Sequence, residues 1–237
     1  MEKSIIILQT FGLGDCLFIE PIARKYFDEG YKVIWPVEDK DIWLKDYIKY
    51  VDFRKKSEFP MDYEQCRMDY TYEGIPVLPI RFSNPLLRGF APHYGDDKQN
   101  WMLDKYRLLD LPLDMWKTLT WTRNHERENE LYDFLKIKEP YTFGNMHFGG
   151  NFGTYDFGVQ TDVQLKKIKD FTLLDWAKVI CEADVIHTVE TSLVYMIETL
   201  PIKAREIHLW PRMPHEGGFT GVKNFISDRW ILHPVEM

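Results

Sequence analysis

Apolar residues cluster in two short runs near the start of the chain, SIIILQT (4–10) and YKVIWPV (31–37). Each is continuous rather than alternating, the pattern of a strand buried on both faces. Between them, Ile22, Ala23, Tyr26 and Phe27 fall on one helical face, and Gly30 follows as a C-terminal stop. Residues 5–37 therefore read as a βαβ unit. Pro21 either opens that helix or lies within a longer one beginning near Asp15. The pattern predicts a further helix in DIWLKDYIKYV (41–51), and short strands and loops over the proline- and glycine-punctuated stretch 57–96.

Helical spacing returns in NWMLDKYRLLDL and NHERENELYDFLKIK, and Glu139-Pro140 then breaks the chain before a new strand, YTFGNMHF. A helix (FTLLDWAKVICEA, with Thr172 and Asp175 at capping-box spacing), a strand (DVIHTV), a helix (TSLVYMIETL) and a strand (REIHLW) follow. Alternation of this kind in both parts predicts an α/β protein of two small, doubly wound, Rossmann-like halves, 1–138 and 139–237, facing a cleft.

Composition narrows the function. The 237 residues are 45% hydrophobic, enough for real cores, and a formal charge of -7 lacks the basic footprint of proteins that live on nucleic-acid phosphates. Three scattered cysteines suggest neither a zinc site nor a disulfide framework, and point to a reducing cytoplasm. No stretch reaches membrane-spanning length.

The chemistry concentrates where strands hand over to helices. After the first strand, FGLGD places Gly12, Gly14 and Asp15 in the βα turn, but Leu17 occupies the third glycine place of a dinucleotide fingerprint, so that match fails. A glycine turn with positive φ at Gly14 would aim Asp15 outward; Asp15 would otherwise serve as a helix cap. After DVIHTV, the residues Glu190, Thr191 and Ser192 open a helix whose free N–H groups suit a phosphate. His147 ends the strand YTFGNMHF and precedes a glycine-aromatic loop, and Arg212 follows the last clear strand, where a guanidinium suits a diphosphate. His187 and His208, inside strands, read as structural.

The stretch FGLGDCLFIEPIARKYFDEGYKVIWPV resembles the first βαβ of the heptosyltransferase-like, family 9 glycosyltransferases, with their G-x-G-D start, following proline and G-x-x-V strand entry. FTLLDWAKVICEADVIHTVETSLVYMIETL is similar to the later segment that binds their nucleotide-sugar donor, although Glu190-Thr191-Ser192 stands where that family usually has Asp-Ser-Gly. The resemblance implies a GT-B arrangement, with residues 1–138 on the acceptor side and 139–237 holding the donor. It implies metal-independent transfer of a sugar from a nucleotide-diphosphate sugar, a co-substrate rather than a cofactor, to a hydroxyl acceptor. Asp15 is then the base that takes the acceptor proton, with Glu20, Asp96 and Asp156 next in line. Gly14, His147, Thr191, Ser192 and Arg212 lie against the donor, and Glu190 takes a sugar or ribose hydroxyl. The acceptor would be a glycan or small molecule; a phage-type enzyme acting on hydroxymethylated DNA bases is the alternative. A binding protein without catalysis, or a nucleotide-sugar epimerase, is the rival of another class.

Overall fold

The structure, a computed structural model, describes residues 3–10, 12–64, 67–80, 101–147, 158–211 and 222–233. The chain forms two compact units, Met1–Thr122 and Arg123–Met237. The helix at 125–134 belongs with the second unit, so the division by packing falls before that helix, whereas the sequence reading placed it after.

In the first unit, β1 (Lys3–Ile7), α1 (Leu13–Asp28) and β2 (Tyr31–Val37) form the expected right-through βαβ, with β1 and β2 parallel. The sheet order is β3-β2-β1-β5-β4, where β3 is Val51–Lys55, β4 Thr71–Tyr72 and β5 Ile75–Leu78. The central strand β1 is covered on both faces, which is why its run is apolar throughout: Ile6, Ile7 and Leu8 have no exposed surface. Pro21 lies inside α1, so the helix starts earlier than the proline and runs through it. Gly30, at φ 84, ends it, its N–H donating to Phe27 O at 2.9 Å.

The helix expected over 41–51 is instead a 3-10 helix, Asp39–Asp46, followed by β3. Val51 and Phe53 pair with Val33 and Trp35 of β2, and that sheet partnership overrides the helical spacing of the apolar residues before them. A short helix α2 (Trp101–Arg107) docks on α1: the Tyr106 hydroxyl donates to Phe18 O at 2.5 Å, and the two rings meet edge to face.

The second unit carries α3 (His125–Phe134), β6 (Thr142–Asn145), β7 (Val163–Gln164), α4 (Ala177–Glu182), β8 (Val185–Val189), α5 (Ser192–Thr199), β9 (Glu206–Trp210) and β10 (Trp230–Leu232). Its sheet, β10-β9-β8-β6-β7, is parallel in every described pairing. The expected capping contact forms: the Thr172 N–H and hydroxyl both donate to Asp175 Oδ2, at 2.8 and 3.1 Å. Asp175 is buried and also takes two hydrogen bonds from Arg127, which ties α3 to the turn before α4.

Candidate active site

Two strand-to-helix corners, one in each unit, hold the chemistry.

At the β1–α1 corner, the positive φ belongs to Gly12 (φ 83), the N-cap of α1, and not to Gly14, which lies in the helix's first turn. A Cβ on Gly12 would come within 2.7 Å of Asp15 Oδ2, so glycine here is required by both backbone and space. Asp15 does not cap: no side chain caps the α1 N-terminus. The Asp15 carboxylate turns instead to Lys105 on α2, whose Nζ donates to Asp15 Oδ1. Lys105 has no exposed surface, and its Nζ also donates to Gln9 Oε1 at 3.1 Å. Gln9, itself fully buried, is held in turn by the Trp35 indole N–H on its carbonyl at 2.8 Å. Asp15 keeps 18% of its side chain exposed, so a partly buried carboxylate is paired with a fully buried ammonium.

Glu20, a reserve candidate for the base, is out of reach of any substrate. It is completely buried in α1, where the Tyr50 hydroxyl and the Thr120 N–H donate to it. Burial pushes its carboxyl up to about 7, against the opposing effect of those hydrogen bonds. Asp96 and Asp156 lie outside the described residues, as does Arg212.

At the β8–α5 corner, Thr191 is the N-cap of α5 in extended backbone, its hydroxyl accepting from Leu193 N–H at 3.4 Å. Asn145, at the end of β6, stands opposite Thr188 of β8. Its amide Nδ2 donates to the Thr188 and Thr191 hydroxyls at 3.1 and 3.0 Å. Those two bonds fix the amide's orientation, and Oδ1, on a residue only 2% exposed, is left with no hydrogen-bond partner among the described residues. A buried unpaired acceptor costs about 1–3 kcal/mol, so it marks a place where something else is expected to donate.

A cavity of about 430 Å³ opens here, lined by Asn145, His147, Lys166, Lys167, Thr191 and Ser192 among others. Three of these, His147, Thr191 and Ser192, are the sequence candidates, brought together at the carboxyl ends of neighbouring parallel strands. His147 is exposed and sits two residues beyond the end of β6. Asn145, Lys166 and Lys167 are additions that the sequence reading missed. The two lysines form no ion pair with a described residue, and no carboxylate lines the cavity among the described residues, so its field favours an anion. Glu190 is not part of this lining; it is 4% exposed, buried behind the corner, and its N–H donates to Trp210 O at 3.3 Å.

His187 and His208 do find structural partners. Their rings stack 4.2 Å apart, the Trp210 indole donates to His187 Nδ1 at 3.3 Å, and His208 lies 2.8 Å from a ring nitrogen of His233 and 3.1 Å from Glu206. Burial, and then the neighbouring imidazoles, push His187 down to about 4. No group of three His, Cys, Asp or Glu side chains among the described residues is placed to hold a metal ion.

Two mostly parallel α/β units define the class of fold as GT-B-like. Solved structures bear out that assignment of fold. A family 9 glycosyl transferase from Veillonella parvula matches with a TM-score of 0.56 at 12% identity, over 98% of this chain and 87% of that one. ADP-heptose LPS heptosyltransferase II from E. coli matches with a TM-score of 0.53 at 15% identity, over 98% and 90%. An iron-containing dodecameric glycosyltransferase from enterotoxigenic E. coli matches with a TM-score of 0.54 at 10% identity; this chain spans 62% of its length. No family model and no curated protein sequence matches the chain. No helix among the described residues is long and apolar enough to cross a membrane.

Proposed function

We propose that this protein transfers a sugar from a nucleotide-diphosphate sugar to a hydroxyl acceptor without a metal ion. The observation that carries the reading is the cavity at the β8–α5 corner, where a helix N-terminus, two lysines and a buried, unpaired amide oxygen converge. Helix N–H groups and ammonium groups suit a diphosphate, and the Asn145 oxygen needs a donor that a diphosphate lacks. A ligand that carries both an anion and hydroxyl or amino groups satisfies the whole set, and a nucleotide sugar is such a ligand. The role first given to Glu190 thus falls to Asn145, while Arg212 remains a further candidate for the diphosphate.

In the reaction, the acceptor hydroxyl gives its proton to Asp15 as its oxygen bonds to the anomeric carbon. The bond from that carbon to the diphosphate breaks, and its electron pair leaves on the diphosphate oxygen. Lys166, Lys167, Ser192 and His147 receive that charge, which is the work a divalent cation performs in other transferases. The fold shared with glycosyltransferases supports the reading. The two described cysteines, Cys16 and Cys181, are free and buried, which fits a reducing, cytoplasmic setting.

The test is a thermal-shift and hydrolysis screen of nucleoside diphosphate sugars with EDTA present. One nucleotide should raise the melting temperature, a ligand at a hundred times its Kd stabilising by about 2.7 kcal/mol. The same donor should be hydrolysed slowly, and Lys166→Ala with Lys167→Ala should weaken its binding. A strict need for a divalent metal, or an unchanged affinity in the double variant, overturns the proposal.

A further inference from the structure

We infer that Lys105 is the positioning residue of the Asp15 carboxylate, so that the first corner works as a lysine-aspartate pair and not as a lone acid. This rests on the transferase reading above. An ammonium with no exposed surface is costly unless it is paired and fully hydrogen-bonded, and an apolar side chain of similar size would fill the same space without that cost. Lys105 donates to two groups that lie on other parts of the first unit. Gln9 Oε1 accepts at 3.1 Å from the end of the central strand, and Asp15 Oδ1 accepts from the first turn of α1.

The neighbouring acid on α2, Asp104, is already paired with Arg107, so Lys105 is directed to Asp15 and not to its own helix. Tyr106, the next residue, locks α2 to α1 through Phe18 O, which fixes where Lys105 emerges. From the other side, Gly12 leaves room for Oδ2 where any Cβ would stand 2.7 Å away. One carboxylate oxygen is therefore tethered, and the other has the space that a glycine at position 12 leaves. A free aspartate at a helix start samples several rotamers; this one is held by its lysine and keeps 18% of its side chain exposed.

The experiment compares wild type, Lys105→Met, Asp15→Asn and the double variant, using the donor identified by the nucleotide-sugar screen. Lys105→Met should bind that donor at full stoichiometry with unchanged Kd, since the donor cavity lies in the other unit. Its kcat for transfer should fall about 100-fold, the usual result of misplacing a reacting group by an ångström. Full binding stoichiometry with low kcat is a split that mere loss of folded protein does not produce. Should Lys105→Met fail to fold, Lys105→Gln takes its place in a stability cycle: the loss on Asp15→Asn should be smaller in the Lys105→Gln background, because no buried ammonium is left unpaired there. Wild-type turnover by Lys105→Met, or an equal Asp15→Asn loss in both backgrounds, overturns the inference. Absence of transfer by the wild type would instead overturn the transferase reading and leave the stability cycle to judge the pair.

Discussion

The β1–α1 and β8–α5 corners are built on the same topology and with opposite chemistry. Both follow a parallel strand of their sheet and open a helix. The first has a glycine cap with no side-chain hydrogen bond, an acid in its opening turn, and a buried lysine answering that acid. The second has a threonine cap, no acid in its first turn, and neutral donors arranged around an open cavity with two exposed lysines at its mouth. An acid at a helix N-terminus occupies the positive end of the helix dipole itself; a corner without one leaves that end to a ligand. The pairing teaches that one corner fills its helix end with an acid of its own, answered by a lysine, while the other leaves its helix end open to a cavity.

The comparison breaks most sharply at Asp15. Asn is nearly isosteric, and the sequence alone predicts a silent change in stability. The buried ammonium of Lys105 makes Asp15→Asn cost about 3–5 kcal/mol in urea unfolding, besides abolishing proton acceptance. A smaller loss would mean that the first corner tolerates neutrality as the second does. Next comes Gly12→Ala, which meets both a φ of 83 and the Asp15 carboxylate. It should lose about 1–3 kcal/mol by thermal melting and reduce transfer at the same time. At the second corner, Thr191→Ala removes a cap and one acceptor of the Asn145 amide, for about 1 kcal/mol. Its larger effect should appear in nucleotide affinity measured by calorimetry, and unchanged affinity would reduce Thr191 to a cap alone.

The finest distinction is in pH. Glu20 in the first unit is raised from 4.5 to about 7, so the folded chain holds that proton more tightly than the unfolded one. Its contribution is complete below 4.5 and is lost as pH rises through 7. His187 in the second unit is lowered from 6.5 to about 4, so its contribution is present above 6.5 and is lost as pH falls through 4. The two act with opposite sign between about pH 4 and 7: there Glu20→Gln should make the slope of unfolding free energy against pH more positive, and His187→Asn should make it less positive. A slope unchanged by either substitution would mean that the group holds its proton alike in the folded and unfolded chain.

Much of the architecture was legible because buried parallel strands announce themselves as unbroken apolar runs, and their helices by spacing. SIIILQT, YKVIWPV and DVIHTV became β1, β2 and β8. The segment 41–51 misled because Leu44, Tyr47, Ile48 and Val51 have helical spacing, whereas Val51 is claimed by β2 through a partner eighteen residues away in register, Val33. The glycine assignment slipped by two residues, since G-x-G does not say which glycine carries the positive φ. Lys105 and Asn145 were illegible for one reason: their partners are remote. Asp15 and Lys105 are separated by 90 positions and Asn145 and Thr191 by 46, and no local pattern encodes such a meeting.

The parallel topology also governs how quickly the chain can find its structure. A parallel pair cannot be closed by a tight turn, so nearly every strand pairing here must wait for a crossover to form. Among the described residues the one antiparallel pair is β4 with β5, joined through Glu73 and Gly74, both at positive φ as a two-residue hairpin demands. That hairpin can close within about 1–10 μs, and it supplies β5, the strand that flanks β1 opposite β2. Refolding of both sheets should therefore be slow beside this hairpin of the first, and the early native-like signal should come from the hairpin's aromatic ring at Tyr72.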